Sequence, residues 1–262
     1  MKDAAQRFTT RVDAYARYRP GYPTEVINLL ANECGLTQDS VVADIGSGTG
    51  ILSELLLQNG NKVFGVEPNG QMRASGQMLL QKYPKFLSID GSAEATTLPQ
   101  NSVDLITAGQ AFHWFEWEKA RAEFVRILKP GGFVALIWND RRLDSTPFLR
   151  AYEELLLKFG TDYSKVKDLT ATEPIFRFFA PGDFQLNGFP NSQQFDFVGL
   201  QGRVLSASYT PEPGHPDFIP LITRLHELFE THQRDGKVAF DYDTKIYYGQ
   251  LDNRLGASEQ TR

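Results

Sequence analysis

The sequence predicts an α/β protein: a doubly wound, mainly parallel seven-stranded sheet carrying a helical cap. Three observations predict it. Short apolar runs rich in β-branched residues alternate with helical stretches from residue 41 to residue 138, and this alternation makes parallel βαβ units with right-handed crossovers. A glycine-rich turn, Gly46-Ser47-Gly48-Thr49-Gly50, joins the first run to the first of these helices. After residue 140 the alternation weakens, and two later strand-like runs bring the count to seven.

Taken in order, residues 1–23 are polar and aromatic and end in Tyr18-Arg19-Pro20-Gly21-Tyr22-Pro23, where two prolines and a glycine dictate a turn. Thr24 is placed to cap a helix bearing Val26, Ile27, Leu29, Leu30 and Leu36, its hydroxyl accepting from first-turn amides. Strands follow at 41–45, 62–67, 86–90, 103–107 and 133–138, with helices at 51–57, 72–83 and 117–128. Lys129-Pro130-Gly131-Gly132 ends the last of these helices. Residues 141–195 read as a small helical cap over the ligand cleft, with a helix near 148–159. Residues 196–252 complete the sheet: a strand at 195–199, a helix at 216–234, and an alternating strand at 238–248 with one solvated face. The last dozen residues are expected to fray.

Composition narrows the function classes. With 41% hydrophobic residues the chain has a sizeable core to bury, which excludes disorder. A net charge of −5 with no basic stripe argues against nucleic acid as a partner. No apolar run approaches the ~18 residues of a spanning helix, and Met1 to Arg7 has no apolar signal core, so the expected location is cytoplasmic, without membrane contact. The single cysteine, Cys34, reads as a small buried hydrophobe. His215, His226 and His232 show no metal-ligand pairing, so no metal is expected. The oligomeric state is not legible.

The chemistry concentrates at Asp44-Ile45-Gly46-Ser47-Gly48-Thr49-Gly50. Alternate glycines let the backbone turn sharply and approach a ligand closely, and the helix start that follows offers free amides. Glu67 closes the next strand at the same sheet edge, where a carboxylate accepts from ribose hydroxyls. A dinucleotide fingerprint requires glycine or alanine where Ile51 stands, and a phosphate-binding P-loop requires a lysine and a hydroxyl where Ile51 and Leu52 stand. Both readings lose ground, an NAD-dependent oxidoreductase among them.

What remains, Asp-x-Gly-x-Gly-x-Gly with a second acidic residue one strand later, resembles the class I S-adenosylmethionine (SAM)-dependent methyltransferases. The likeness lies with the methyltransferase type 11 family, trans-aconitate methyltransferase-like members included. It continues in order through Glu67-Pro68-Asn69-Gly70-Gln71-Met72, Asp90-Gly91-Ser92-Ala93-Glu94 with Leu98-Pro99, Val103 to Ala108, and Ile127 to Phe133, covering residues 38–140. The resemblance implies a Rossmann-like core over 24–140 that binds SAM and releases S-adenosylhomocysteine (SAH). It implies that Gly46, Ser47, Gly48 and Gly50 leave room for the amino-acid half. Asp44 would orient the loop or approach the ammonium, Glu67 would hold the ribose, Met72 and Gln110 would belong to the cofactor site, and Ser92, Ala93 and Glu94 would face the adenine.

Two further segments carry alternatives. Gln110-Ala111-Phe112-His113-Trp114 follows the fourth strand, where the family places methyl transfer. There His113 is a general base, a substrate hydrogen-bond donor, or a residue packed over the adenine pocket. Tyr15 to Pro20 is similar to the family's N-terminal lid (residues 1–23), in which Arg19 pairs with the SAM carboxylate or packs on Tyr22, with Tyr18 on the substrate side. Gln201 to Tyr209 resembles a segment bordering the substrate, so Arg203 and Tyr209 bind an anionic group or serve as ordinary structural residues. The implied reaction is in-line methyl transfer to a small-molecule acceptor, with a carboxylate the named candidate. The competing class is a SAM-binding regulatory protein without turnover.

Overall fold

The computed structural model describes residues 12–163 and 173–251. The first eleven residues of the expected lid, residues 164–172 of the expected cap and the expected frayed tail from 252 lie outside the described residues. In chain order the elements are α1 (Val12–Tyr18), α2 (Glu25–Cys34), β1 (Val41–Ile45), α3 (Ile51–Gln58), β2 (Lys62–Val66), α4 (Gly70–Leu79), β3 (Phe86–Ile89) and β4 (Val103–Gly109). A 3-10 turn at Phe112–Trp114 precedes α5 (Trp117–Ile127) and β5 (Leu128–Arg141). Then come α6 (Pro147–Phe159), α7 (Glu173–Phe179), β6 (Phe184–Phe195), α8 (Phe197–Leu205), α9 (Phe218–His232) and β7 (Val238–Gly249).

Seven strands form one sheet in the order β3-β2-β1-β4-β5-β7-β6. β1 runs parallel to β2 and β4, β2 to β3, and β4 to β5. The order reverses between β1 and β4, the place where doubly wound sheets open a crevice at their carboxyl ends. Because side chains alternate across a strand, Val42 and Leu105 join a core under α2 and α3 with Leu30, Leu52 and Leu56. Ala43, Ile45 and Ile106 face the opposite way, into a core with Phe124 and Ile127 of α5. No helix among the described residues is long and apolar enough to cross a membrane.

The described residues fall into two compact units. The larger holds 22–138, 173–189 and 245–251, and the smaller holds 12–21, 139–163 and 190–244. The smaller has its own core, in which Phe148, Tyr152 and Leu156 of α6 pack with Leu200 and Val204 of α8, Leu225 of α9, and Phe240. Its α1 lies on α8 so closely that a Cβ at Gly202 would overlap the Tyr18 ring.

Three local expectations are corrected. Residues 196–199 are not a strand: Phe195 ends β6, and Asp196 accepts from the Gly199 amide at 2.7 Å and starts α8, a helix cap competing successfully with a short apolar run. The additional strand is β6, so 196–252 supplies one strand and the expected helical cap contains another. Thr24 precedes α2 but forms no side-chain cap, because it is itself in helical conformation at φ −63° and ψ −21°. Finally, β5 begins at Leu128 rather than after the Lys-Pro-Gly-Gly break, with Gly131 at φ +80°.

Candidate functional site

The carboxyl ends of β1, β2 and β4 bring the glycine loop, Glu67 and the Gln110–Trp114 segment to one end of the larger unit. Within the loop the Gly46 and Ser47 amides both donate to the Val66 carbonyl, at 2.9 and 3.1 Å, and the Gly50 amide donates to the Ser47 carbonyl at 2.9 Å. All three glycines have positive φ. A Cβ at Gly46 would meet the Ala111 Cβ at 2.6 Å, and one at Gly50 would meet the Leu80 Cδ1 at 2.5 Å. At those two positions glycine is therefore required by the protein's own packing. Gly48 is the more open position, with only the Met72 Cε at 3.5 Å.

Asp44 is fully buried beneath this loop. Its Oδ2 accepts from the Ser53 hydroxyl of α3 at 2.6 Å and its Oδ1 from the Thr107 hydroxyl of β4 at 3.1 Å. Burial pushes its carboxyl pKa up to about 6, with the two hydroxyl bonds pulling the other way. Of the two roles the resemblance implies for Asp44, this geometry favours bracing the loop.

Glu67 is also buried, and burial raises its pKa while the Asn69 and Gly48 amides and Arg73 oppose the rise. The Gly48 amide donates to Oε2 at 2.9 Å and the Asn69 amide to Oε1 at 2.8 Å. A carboxylate has about four acceptor positions, so each oxygen retains acceptor capacity while its orientation is set. Asn69 caps α4, accepting from the Gln71 and Met72 amides at 2.9 and 3.1 Å. Its role was missed in the sequence reading, although Asn before a helix start is a recognisable cap signal.

The adenine-side segment is a tight turn: Ser92 and Ala95 exchange backbone bonds at 3.2 and 3.3 Å around buried Ala93. Glu123 of α5 clamps the next residue, accepting from the amide and hydroxyl of Thr96 at 2.8 and 2.5 Å. One oxygen of Glu94 accepts from the Glu116 amide at 2.8 Å. Gln110 sits at φ +55° and donates its amide to the Ile137 carbonyl at 2.8 Å. His113 is half-buried beside Trp114, their rings 4.8 Å apart, while Phe112 anchors the turn edge-on against Phe115, Trp138 and Phe178. Cys34 lies on α2, and burial pushes its thiol up to about 12, with the neighbouring Glu33 charge adding to the rise.

The remaining expected residues, Tyr18, Arg19, Arg203 and Tyr209, belong to the smaller unit. Arg19 donates from an Nη to the Ser206 carbonyl at 3.1 Å and lies over the Tyr15 ring. Arg203 is buried on α8 and donates from Nε to the Tyr242 hydroxyl at 3.3 Å. Tyr209 stacks at an angle on Tyr163, ring centroids 4.8 Å apart.

Comparison with known proteins was made against this geometry. Residues 43–136 match the model of a family described as a methyltransferase domain. An uncharacterised methyltransferase of Mycobacterium tuberculosis is 34% identical over 174 residues, 66% of this chain and 67% of that protein. An uncharacterised methyltransferase of Schizosaccharomyces pombe is 36% identical over 152 residues, 58% of this chain and 59% of that protein. Among solved structures, a protein from Anaeromyxobacter dehalogenans described as a type II methyltransferase superposes with a TM-score of 0.65 at 21% identity, covering 89% of this chain and 98% of that one.

Proposed function

We propose that this chain, which belongs to the class I methyltransferase family, transfers a methyl group from SAM to a small-molecule acceptor, with a carboxylate as the favoured acceptor. The observation that carries the cofactor reading is the Glu67 carboxylate, held by the Gly48 and Asn69 amides with acceptor capacity to spare. The residues present fit the cofactor in two further respects. The Thr49 hydroxyl oxygen in the loop is buried without a hydrogen-bond partner, and the open side of Gly48 admits close approach of a ligand.

When bound, SAM supplies a methyl group already activated on a sulfonium, so the protein's part is positioning and exclusion of water. Glu67 would hold the ribose hydroxyls. Gly46, Ser47, Gly48 and Gly50 would line the amino-acid half, over the Asp44 brace. The Ser92–Glu94 turn would face the adenine. Met72 and Gln110 would flank the cofactor, and Trp114 the acceptor. A carboxylate acceptor needs no base, whereas a hydroxyl or amine acceptor draws on His113 to take up its proton.

The test is a thermal melt of the purified protein with SAH, SAM and NAD. Saturation at a hundred times Kd adds about 2.7 kcal/mol to stability. SAH and SAM are expected to raise the melting temperature, and Glu67→Ala to abolish that rise. A response to NAD alone would overturn the reading. A SAH response without turnover on any acceptor would favour a SAM-binding regulator.

A further inference from the structure

Among its described residues the smaller unit brings together three arginines, Arg19, Arg141 and Arg203, with buried guanidinium nitrogens. Arg141 is paired with Glu153 in a salt bridge whose side chains are only 10% and 11% exposed, and it donates to the Tyr163 hydroxyl at 3.0 Å. Tyr163 in turn donates to Glu153 at 2.5 Å. Arg203, 5% exposed, has the Tyr242 hydroxyl as its hydrogen-bond partner, and its Cζ lies 5.9 Å from the centre of the Phe240 ring. Arg19 has the Ser206 carbonyl and the Tyr15 ring face. Of these three guanidiniums, Arg141 alone forms a salt bridge among the described residues.

Several donors of this cluster are unmatched. The Nε of Arg19, an Nη of Arg141, an Nη of Arg203 and the hydroxyl of Tyr152 are all buried with no hydrogen-bond partner. Tyr152 is 1% exposed. The Arg141 guanidinium lies over its ring at 4.9 Å. These groups are close enough to act on one another: burial and then the charge of Arg203 push Arg19 downward in pKa. Tyr209 is an electrostatic neighbour of all three arginines and of Tyr152. Leaving a buried charge unpaired is costly, and each unmatched buried donor adds to that cost. A ligand that supplies oxygen acceptors would complete such a cluster. Guanidinium forks match planar and tetrahedral oxyanions, and the surrounding tyrosine rings offer flat apolar walls with hydroxyl tips.

We propose that Arg19, Arg141 and Arg203, with the Tyr152 hydroxyl, form a binding site in the smaller unit for a small molecule carrying two oxyanionic charges. Its oxyanions are carboxylates or a phosphate. Arg19 is thereby assigned to this site rather than to the cofactor's carboxylate.

The test is a melting series on the purified full chain with succinate, inorganic phosphate and, at matched ionic strength, chloride, each with and without SAH. Succinate or phosphate is expected to stabilise the wild type beyond chloride, and the one that does so identifies the oxyanion. R203M and R19Q are expected to weaken that response at least tenfold in apparent Kd. Without added anion, R203M is expected to melt no lower than the wild type, because an unmatched buried charge has been removed. The site is overturned if neither dianion stabilises the wild type more than chloride does. It is equally overturned if R203M melts far below the wild type while R19Q keeps the full anion response. R19Q that loses only the SAH response would return Arg19 to the cofactor and end the three-arginine site. An anion response without any SAH response would leave this site standing and remove the methyl-transfer reading.

Discussion

Each unit of the molecule buries charge, and the two do so differently. In the larger unit Asp44 and Glu67 are matched donor by donor, Asp44 by the Ser53 and Thr107 hydroxyls and Glu67 by two backbone amides. In the smaller unit, of Arg19, Arg141 and Arg203, Arg141 alone pairs with a carboxylate among the described residues, and four buried polar atoms of Arg19, Arg141, Tyr152 and Arg203 have no hydrogen-bond partner. The first pattern sets the shape of a loop before any ligand arrives. The second leaves a network incomplete, and an incomplete buried network is costly in the empty protein. Under the proposal above, the matched groups are scaffold and the unmatched arginines are the part that a ligand would complete.

The strongest test of this contrast compares Glu153→Ala with R203M in the smaller unit. Removing Glu153 strands Arg141, so a loss of about 3–5 kcal/mol is expected in urea unfolding, against no loss for R203M. Equal losses would break the distinction between matched and unmatched arginines. In the larger unit, Gly46→Ala is expected to cost about 2–3 kcal/mol by the same measurement, from strain at φ +68° and the overlap with Ala111.

Asp44→Asn sharpens the comparison in the other direction. A carboxyl whose pKa is raised on folding takes up its proton more readily in the native state. Its contribution to stability is therefore fully present below about pH 4, falls as pH rises to about 6, and stays low above that. Asparagine removes the fall, so the variant is expected to gain up to about 2–3 kcal/mol at pH 7, with the gain vanishing near pH 4. The same variant should bind SAH more weakly if the brace shapes the loop, which the melt with SAH reads directly. The smallest effect is expected from Asn69→Ala, which removes the α4 cap at about 0.5–2 kcal/mol and is again measured by urea unfolding.

Much of the larger unit was legible because its signals are local. β1, the glycine turn and α3 fall within a few residues of their expected bounds, since a buried parallel strand is a continuous apolar run and a tight turn demands glycine. The glycines were read as room for a ligand, yet Ala111 and Leu80 occupy the space at Gly46 and Gly50, contacts from distant elements that no turn motif encodes. β6 was missed for a different reason. It is an edge strand, mostly exposed and rich in Asn, Gln and Ser, so it lacks the apolar alternation by which strands are recognised. The apolar Phe195 to Gly199 run pointed to a strand, while Asp196, the residue that starts a helix there, was passed over.

The sequence by itself determined the α/β class, the glycine loop with its two acidic residues, and the family to which those motifs are similar, because each depends on neighbours a few positions apart. Only the tertiary structure decided that Asp44 is buried with the Ser53 and Thr107 hydroxyls on its two oxygens, and that Arg19, Arg141, Tyr152 and Arg203 share one buried cluster. Those four residues stand on four separate segments, the turn after α1, β5, α6 and α8, and charge and hydrogen-bond balance are properties of the space where such segments meet.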